Sequence, residues 1–184
     1  VKAENGFGSP KSSPVHQAIK EIIISGVACM ELVLINVLAK LPLLARGPDL
    51  NKKYLNTFQK LIKKRSIGKP IAHLINKKFF WNSEFTVSED TLIPRPDTEL
   101  IVDKVLDLTA YKNKINILEI GIGSGCVLLS ILKERKSFYG IGIDISQSCL
   151  NISKLNAIKL KVSSKLKLFK SNVDKFNLGK YDLI

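Results

Sequence analysis

Two short stretches carry the residues best placed to do chemistry. In "ILEIGIGSGCVLL", Gly121, Gly123 and Gly125 alternate with Ile122 and Ser124, after a β-prone apolar run and before a helical one. Glycines in that setting permit positive φ and let backbone approach a ligand closely. In "GIGIDIS", Asp144 closes the next β-prone run. A carboxylate at a strand end can accept hydrogen bonds from both hydroxyls of a ribose. The dinucleotide fingerprint needs glycines at its first, third and sixth places. Counted from Gly121 the sixth place is Cys126, and counted from Gly123 it is Leu128. The spacing is therefore G-x-G-x-G, too short for a pyrophosphate cradle.

A nicotinamide dinucleotide and S-adenosylmethionine both offer two ribose hydroxyls, so the turn must discriminate between them. S-adenosylmethionine carries no phosphate and needs only a close backbone contact. E-x-G-x-G-x-G from Glu119, with an acid at the next strand end, points to that cofactor. The alternative is a tight strand-to-helix turn beside an ordinary surface aspartate. On this reading Asp144→Ala weakens cofactor binding with little loss of folding stability. A third stretch, "TLIPRPDTE", sets Arg95 between Pro94 and Pro96. The prolines fix the backbone on both sides, so the guanidinium stands on a stiff loop, as a pocket wall or a plain helix stop.

The elements that must hold these residues are legible in outline. The sequence "INILEIG", "CVLLSILKERK", "FYGIGIDI", "SCLNISKLNAIKL", "KLKLFKSN" alternates strand and helix, and a last strand begins at "KYDLI". Such alternation implies right-handed crossovers and a doubly wound parallel sheet, an α/β fold, with about four strands here. Upstream, Phe80-Trp81 and Phe85-Thr86-Val87 suggest a hairpin. A helix is expected after Pro96, with Asp97 or Thr98 as its N-cap. Residues 51–65 read as an amphipathic helix with Tyr54, Leu55, Phe58, Leu61 and Ile62 on one side. The organisation expected is a disordered segment at residues 1–17, a helical recognition domain at 18–75, a β-hairpin linker at 76–96, and the N-terminal half of a cofactor domain at 97–184. The apolar run at 22–44 matches a membrane span in length. Glu31, Asn36, Lys40, Gly26 and Pro42 interrupt it, which favours a buried helix or helix pair over a span.

Composition sets wider bounds. The chain has 184 residues, 29 Lys and Arg against 16 Asp and Glu, and a formal net charge of +13. That allows an acidic or RNA-containing partner without demanding one, because the lysines are spread along the chain. The one local cluster is "QKLIKKR" at 59–65. Cys29, Cys126 and Cys149 form no C-x-x-C pair, and only His16 and His73 could join them. No metal site or disulfide framework is expected; a reducing cytoplasm is the natural compartment.

Taken in order, "GKPIAHLI", "FFW", "TLIPRPDTELIV", "ILEIGIGSGCVLLSI", "GIDIS", "LNISKLNA" and "YDLI" resemble the HemK-like release factor glutamine methyltransferases. The likeness is close from Gln59 to Ile184 and looser back to "MELVLINVLAK". It implies a class I methyltransferase fold that uses S-adenosylmethionine to methylate the side-chain amide of glutamine in the GGQ motif of peptide chain release factors. A monomer is expected. By position, Gly121, Ile122, Gly123, Ser124 and Gly125 resemble the cofactor loop, and Asp144 the ribose-binding acid. Asn172 and Val173 stand where the family has an aspartate and an aromatic residue beside the adenine. Pro94, Arg95 and Pro96 resemble its active-site loop, and Glu119 replaces an aspartate. The family's catalytic N-P-P-Y does not occur in the sequence and would lie beyond Ile184. The resemblance thus implies the front part of the enzyme, an inactive fragment. The alternatives are a nucleic-acid amino-methyltransferase of the adenine N6 type, which shares that motif, and a non-catalytic remnant.

Overall fold

A computed structural model describes residues 52–184. The expectations for residues 1–17 and for the apolar run at 22–44 lie outside them. By internal contacts the chain divides into two compact units, Val1–Ile71 and Ala72–Ile184. In the first, α1 (Lys52–Ser66) is the expected amphipathic helix. Its Leu61 and Ile62 are half-buried, Lys63 and Lys64 exposed. Among the described residues no helix is long and apolar enough to cross a membrane.

The short α2 (Ile71–Ile75) leads into β1 (Lys77–Phe80) and β2 (Ser83–Thr86), an antiparallel hairpin with Phe80 opposite Ser83. The strand ends one residue sooner than its aromatic run suggests. Trp81 sits in the turn at φ 49°, an uncommon conformation for a bulky side chain. Two carboxylates hold it there. Its backbone N–H donates to Glu99 Oε1 at 2.9 Å, and its indole N–H to Glu134 Oε1 at 3.0 Å. Phe80 and Phe85 meet edge to face at 6.1 Å and anchor the hairpin in the core.

After Pro96 a 3₁₀ turn (Pro96–Thr98) runs into α3 (Glu99–Leu108). Thr98 is the N-cap, as the sequence suggested, but its side chain makes no capping hydrogen bond. Then follow β3 (Asn116–Ile120), α4 (Cys126–Glu134), β4 (Tyr139–Asp144), α5 (Gln147–Lys159) and β5 (Leu166–Lys170). The strands are parallel in the order β3-β4-β5. Both crossovers step the same way across the sheet, so right-handedness puts α4 and α5 on one face. Gly140 and Gly142 make room on that face. A Cβ at Gly140 would lie 2.8 Å from Leu128 of α4, and one at Gly142 would lie 2.2 Å from Ile122. Leu128, Leu129, Ile131, Leu132 and Phe138 fill the layer between.

A fourth position in the sheet is marked by an isolated bridge. Leu183 pairs in parallel with Ile117, on the edge of β3 away from β4, and Leu118 N–H donates to its carbonyl at 2.9 Å. Strand order therefore reverses beside β3. In open α/β sheets a ligand lies at such a switch point, beyond the carboxyl ends of the strands.

Candidate functional site

At that end the three strands deliver the sequence-selected residues side by side. The chain leaves β3 through Gly121, Gly123 and Gly125, at φ 72°, 55° and 77°. A side chain would be strained at each. The N–H groups of Gly121 and Ile122 both donate to Ile143 O, at 2.9 and 3.0 Å, pinning the turn to β4. Ile122 is buried in the core. Ser124 is buried as well. Around Gly121 and Gly123 the space is open: a Cβ on Gly121 meets nothing within 4 Å, and one on Gly123 only Gly121 O at 3.9 Å.

Asp144 ends β4 with both carboxylate oxygens in use. Oδ2 accepts from Gly123 N–H at 3.0 Å and Oδ1 from Ser146 N–H at 2.8 Å. It is only 8% exposed. The acid therefore shapes the turn itself, and the expectation that its loss would leave stability almost untouched is corrected. Each oxygen keeps a second lone pair for a ligand hydroxyl. Beyond β5, Ser171 N–H donates to Asp144 O at 3.1 Å, bringing Asn172 and Val173 to the same end. Asn172 Oδ1 caps a short turn by accepting from Lys175 N–H at 3.1 Å, which leaves its Nδ2 to donate. Val173 is 53% exposed.

In the proline loop Pro94 is buried while Arg95 and Pro96 are exposed. Arg95 is extended (φ −99°, ψ 144°) and its carbonyl accepts from Thr98 N–H at 3.1 Å. Among the described residues its guanidinium pairs with neither the glycine turn nor Asp144.

Glu119 stands behind the turn, on an apolar crevice of about 440 Å³ with Val105, Leu128 and Leu183. Burial pushes its carboxyl up to about 8, helped by the nearby Asp144 charge and opposed by Leu128 N–H, which donates to Oε2 at 3.1 Å. A raised folded-state value means the native protein holds this proton more tightly than the unfolded chain. The resulting stability is full below the ordinary value of 4.5 and is lost as pH rises to about 8. We expect Glu119→Gln to flatten that decline. Equal slopes of melting temperature against pH for variant and wild type, between pH 5 and 8, would contradict it. Burial also pushes the Cys126 thiol up to about 11, with a contribution from Glu119, and raises Cys149. Neither is a thiolate nucleophile at neutral pH. Among the described residues no cluster could hold a metal ion.

Over 124 residues the chain is 43% identical to the release factor glutamine methyltransferase of Buchnera aphidicola subsp. Schizaphis graminum, a match spanning 67% of this chain and 44% of that protein. The chain is a relative of the HemK-like release factor glutamine methyltransferases. The bifunctional methyltransferase of Rickettsia prowazekii is 34% identical over 161 residues, spanning 77% of this chain and 31% of its own length. The chain thus spans less than half the length of either relative. No protein-family model matches it. Among solved structures, a SAM-dependent methyltransferase from Geobacter sulfurreducens in complex with S-adenosyl-L-homocysteine overlaps 42% of this chain and 29% of its own, at 23% identity and a TM-score of 0.36.

The sequence reading missed the residues that support the turn from behind. Ser153 and Asn156 of α5 are wholly buried and donate to Gly123 O and Ser124 O, at 2.7 and 2.9 Å. Their only sequence signal is a polar residue where "LNISKLNA" would be expected to turn an apolar one inward.

Proposed function

We propose that the chain carries the cofactor site of an S-adenosylmethionine-dependent methyltransferase whose substrate is the glutamine side-chain amide in the GGQ motif of peptide chain release factors. The observation that carries the cofactor reading is the meeting, at one sheet end, of an open glycine turn, an acid with spare lone pairs and a free amide donor. When bound, S-adenosylmethionine supplies an electrophilic methyl group on a sulfonium. The chain's own part is to hold it. Gly121 and Gly123 leave space where any side chain would intrude, and Asp144 would accept from the ribose hydroxyls. Asn172 Nδ2 would donate to the adenine, with Val173 as an apolar contact. A glutamine amide is a poor nucleophile because its lone pair is delocalised, so methyl transfer depends on positioning. The exposed Arg95 on its stiff loop suits a wall facing the protein substrate. A translation factor as substrate supports a cytoplasmic reading.

Calorimetry of the purified chain with S-adenosylmethionine is expected to show one saturable site, weakened several-fold in Asn172→Ala. Absence of binding at millimolar cofactor would overturn the cofactor reading. This chain alone is expected to transfer no label. The substrate is therefore tested by label transfer from S-adenosylmethionine to a release factor by a protein that joins this chain to an N-P-P-Y segment, with a GGQ-mutated factor as control. Label on nucleic acid in place of the factor would favour an amino-methyltransferase of adenine.

A further inference from the structure

The face that α5 turns inward is partly polar, and apolar burial does not account for it. Cys149, Ser153 and Asn156 follow at helical spacings of four and three, so they share one face. The side chain of Asn156 has three partners: Oδ1 accepts from Thr86 N–H at 2.8 Å, and Nδ2 donates to Thr86 O and to Ser124 O, each at 2.9 Å. Toward Thr86, at the end of β2, it offers the donor and acceptor that a neighbouring strand would. Ser153 Oγ donates to Gly123 O at 2.7 Å, and Cys149 Sγ to Asp90 O at 3.3 Å. The backbone groups reached belong to two segments only. One is the glycine turn; the other runs from β2 toward Pro94, Arg95 and Pro96. Seventy positions separate Thr86 from Asn156, so the joint is purely tertiary.

We propose that Ser153 and Asn156 are positioning residues, which lock the glycine turn and the segment leading to Arg95 into one geometry before any ligand arrives. The purpose assigned to them rests on the cofactor reading above. Both side chains are fully buried, so they act on a ligand through the backbone they hold. A loop carbonyl that loses its buried donor must find another or move.

The test uses the full chain with Ser153→Ala and Asn156→Ala, read by amide hydrogen exchange and by calorimetry with S-adenosylhomocysteine well below the melting temperature. We expect exchange about tenfold faster at the amides of Thr86, Gly123 and Gly125, with β3, β4 and α4 unchanged. Binding should weaken about five- to tenfold. Uniform acceleration throughout the unit, or none, would make the stripe ordinary packing and overturn the proposal. Localised acceleration with unaltered affinity would overturn its ligand role. A wild-type chain that binds no S-adenosylhomocysteine would instead sink the cofactor reading, while the exchange pattern still decides whether the joint exists. If Asn156→Ala does not fold, Ser153→Ala, which removes one oxygen atom and touches only the glycine turn, carries the test there. Faster exchange at Gly123 and Gly125 with weaker binding is then the supporting result, and neither is the overturning one.

Discussion

Asp144→Ala is expected to cost the protein both cofactor affinity and part of its stability. The carboxylate of Asp144 is buried and accepts the N–H groups of Gly123 and Ser146. Truncation leaves two amides without their charged acceptor, in a place where water enters only by disturbing the turn. Hydrogen bonds to charged groups are each worth about 1.5–3 kcal/mol, and partial rehydration recovers some of that. A net loss of about 2–4 kcal/mol should follow. It would appear as a lower urea midpoint with an unchanged m-value. If Asp144 also holds the ribose, S-adenosylmethionine binding should weaken about 10- to 150-fold. Asp144→Asn sharpens the test. It keeps the shape but turns an NH₂ toward a backbone N–H, so it too should destabilise. A stable Asp144→Ala with wild-type affinity would mean that the acid neither shapes the turn nor meets a ligand.

What the sequence showed and what it hid divide along the range of the forces involved. The strand–turn–helix at Gly121 to Gly125 and the alternation after it were legible, because hydrophobic runs and glycine punctuation are local. Trp81 was read into a strand because aromatic residues favour strands. Glu99 and Glu134, remote in sequence, capture both its N–H groups and bend it into the turn. For Asp144 the sequence offers a ligand group or an ordinary surface aspartate and not a support of the turn, since nothing local shows that Gly123, twenty-one positions earlier, already donates to it. Nothing local marks Ser153 and Asn156 either, because the backbone groups they reach lie about 30 to 70 positions away. The candidate site's exposed chemistry is written in the sequence, whereas its supports arise only when the chain closes on itself.

The glycines of the turn should separate ligand effects from folding effects. Gly123→Ala and Gly125→Ala impose similar backbone strain, since both positions are left-handed, at φ 55° and 77°. That term is about 1–2 kcal/mol for each. Their surroundings differ. At Gly125 an added Cβ would lie 2.8 and 3.1 Å from Leu129 Cδ1 and Cγ, and 3.3 Å from Ser153 Oγ. Leu129 is fully buried and has nowhere to go, so overpacking adds about 1–3 kcal/mol. At Gly123 the same atom points into open space. Gly125→Ala should therefore melt markedly lower, while Gly123→Ala should fold with only the strain cost. If the open space is the cofactor's, Gly123→Ala should still bind S-adenosylmethionine at least about tenfold more weakly, a loss of about 1.4 kcal/mol. Gly123→Val, which fills more of the space, should abolish binding. Calorimetry and thermal unfolding on the two alanine variants make the comparison. A folded Gly123→Ala that binds as tightly as wild type would show that the space in front of this turn belongs to no ligand.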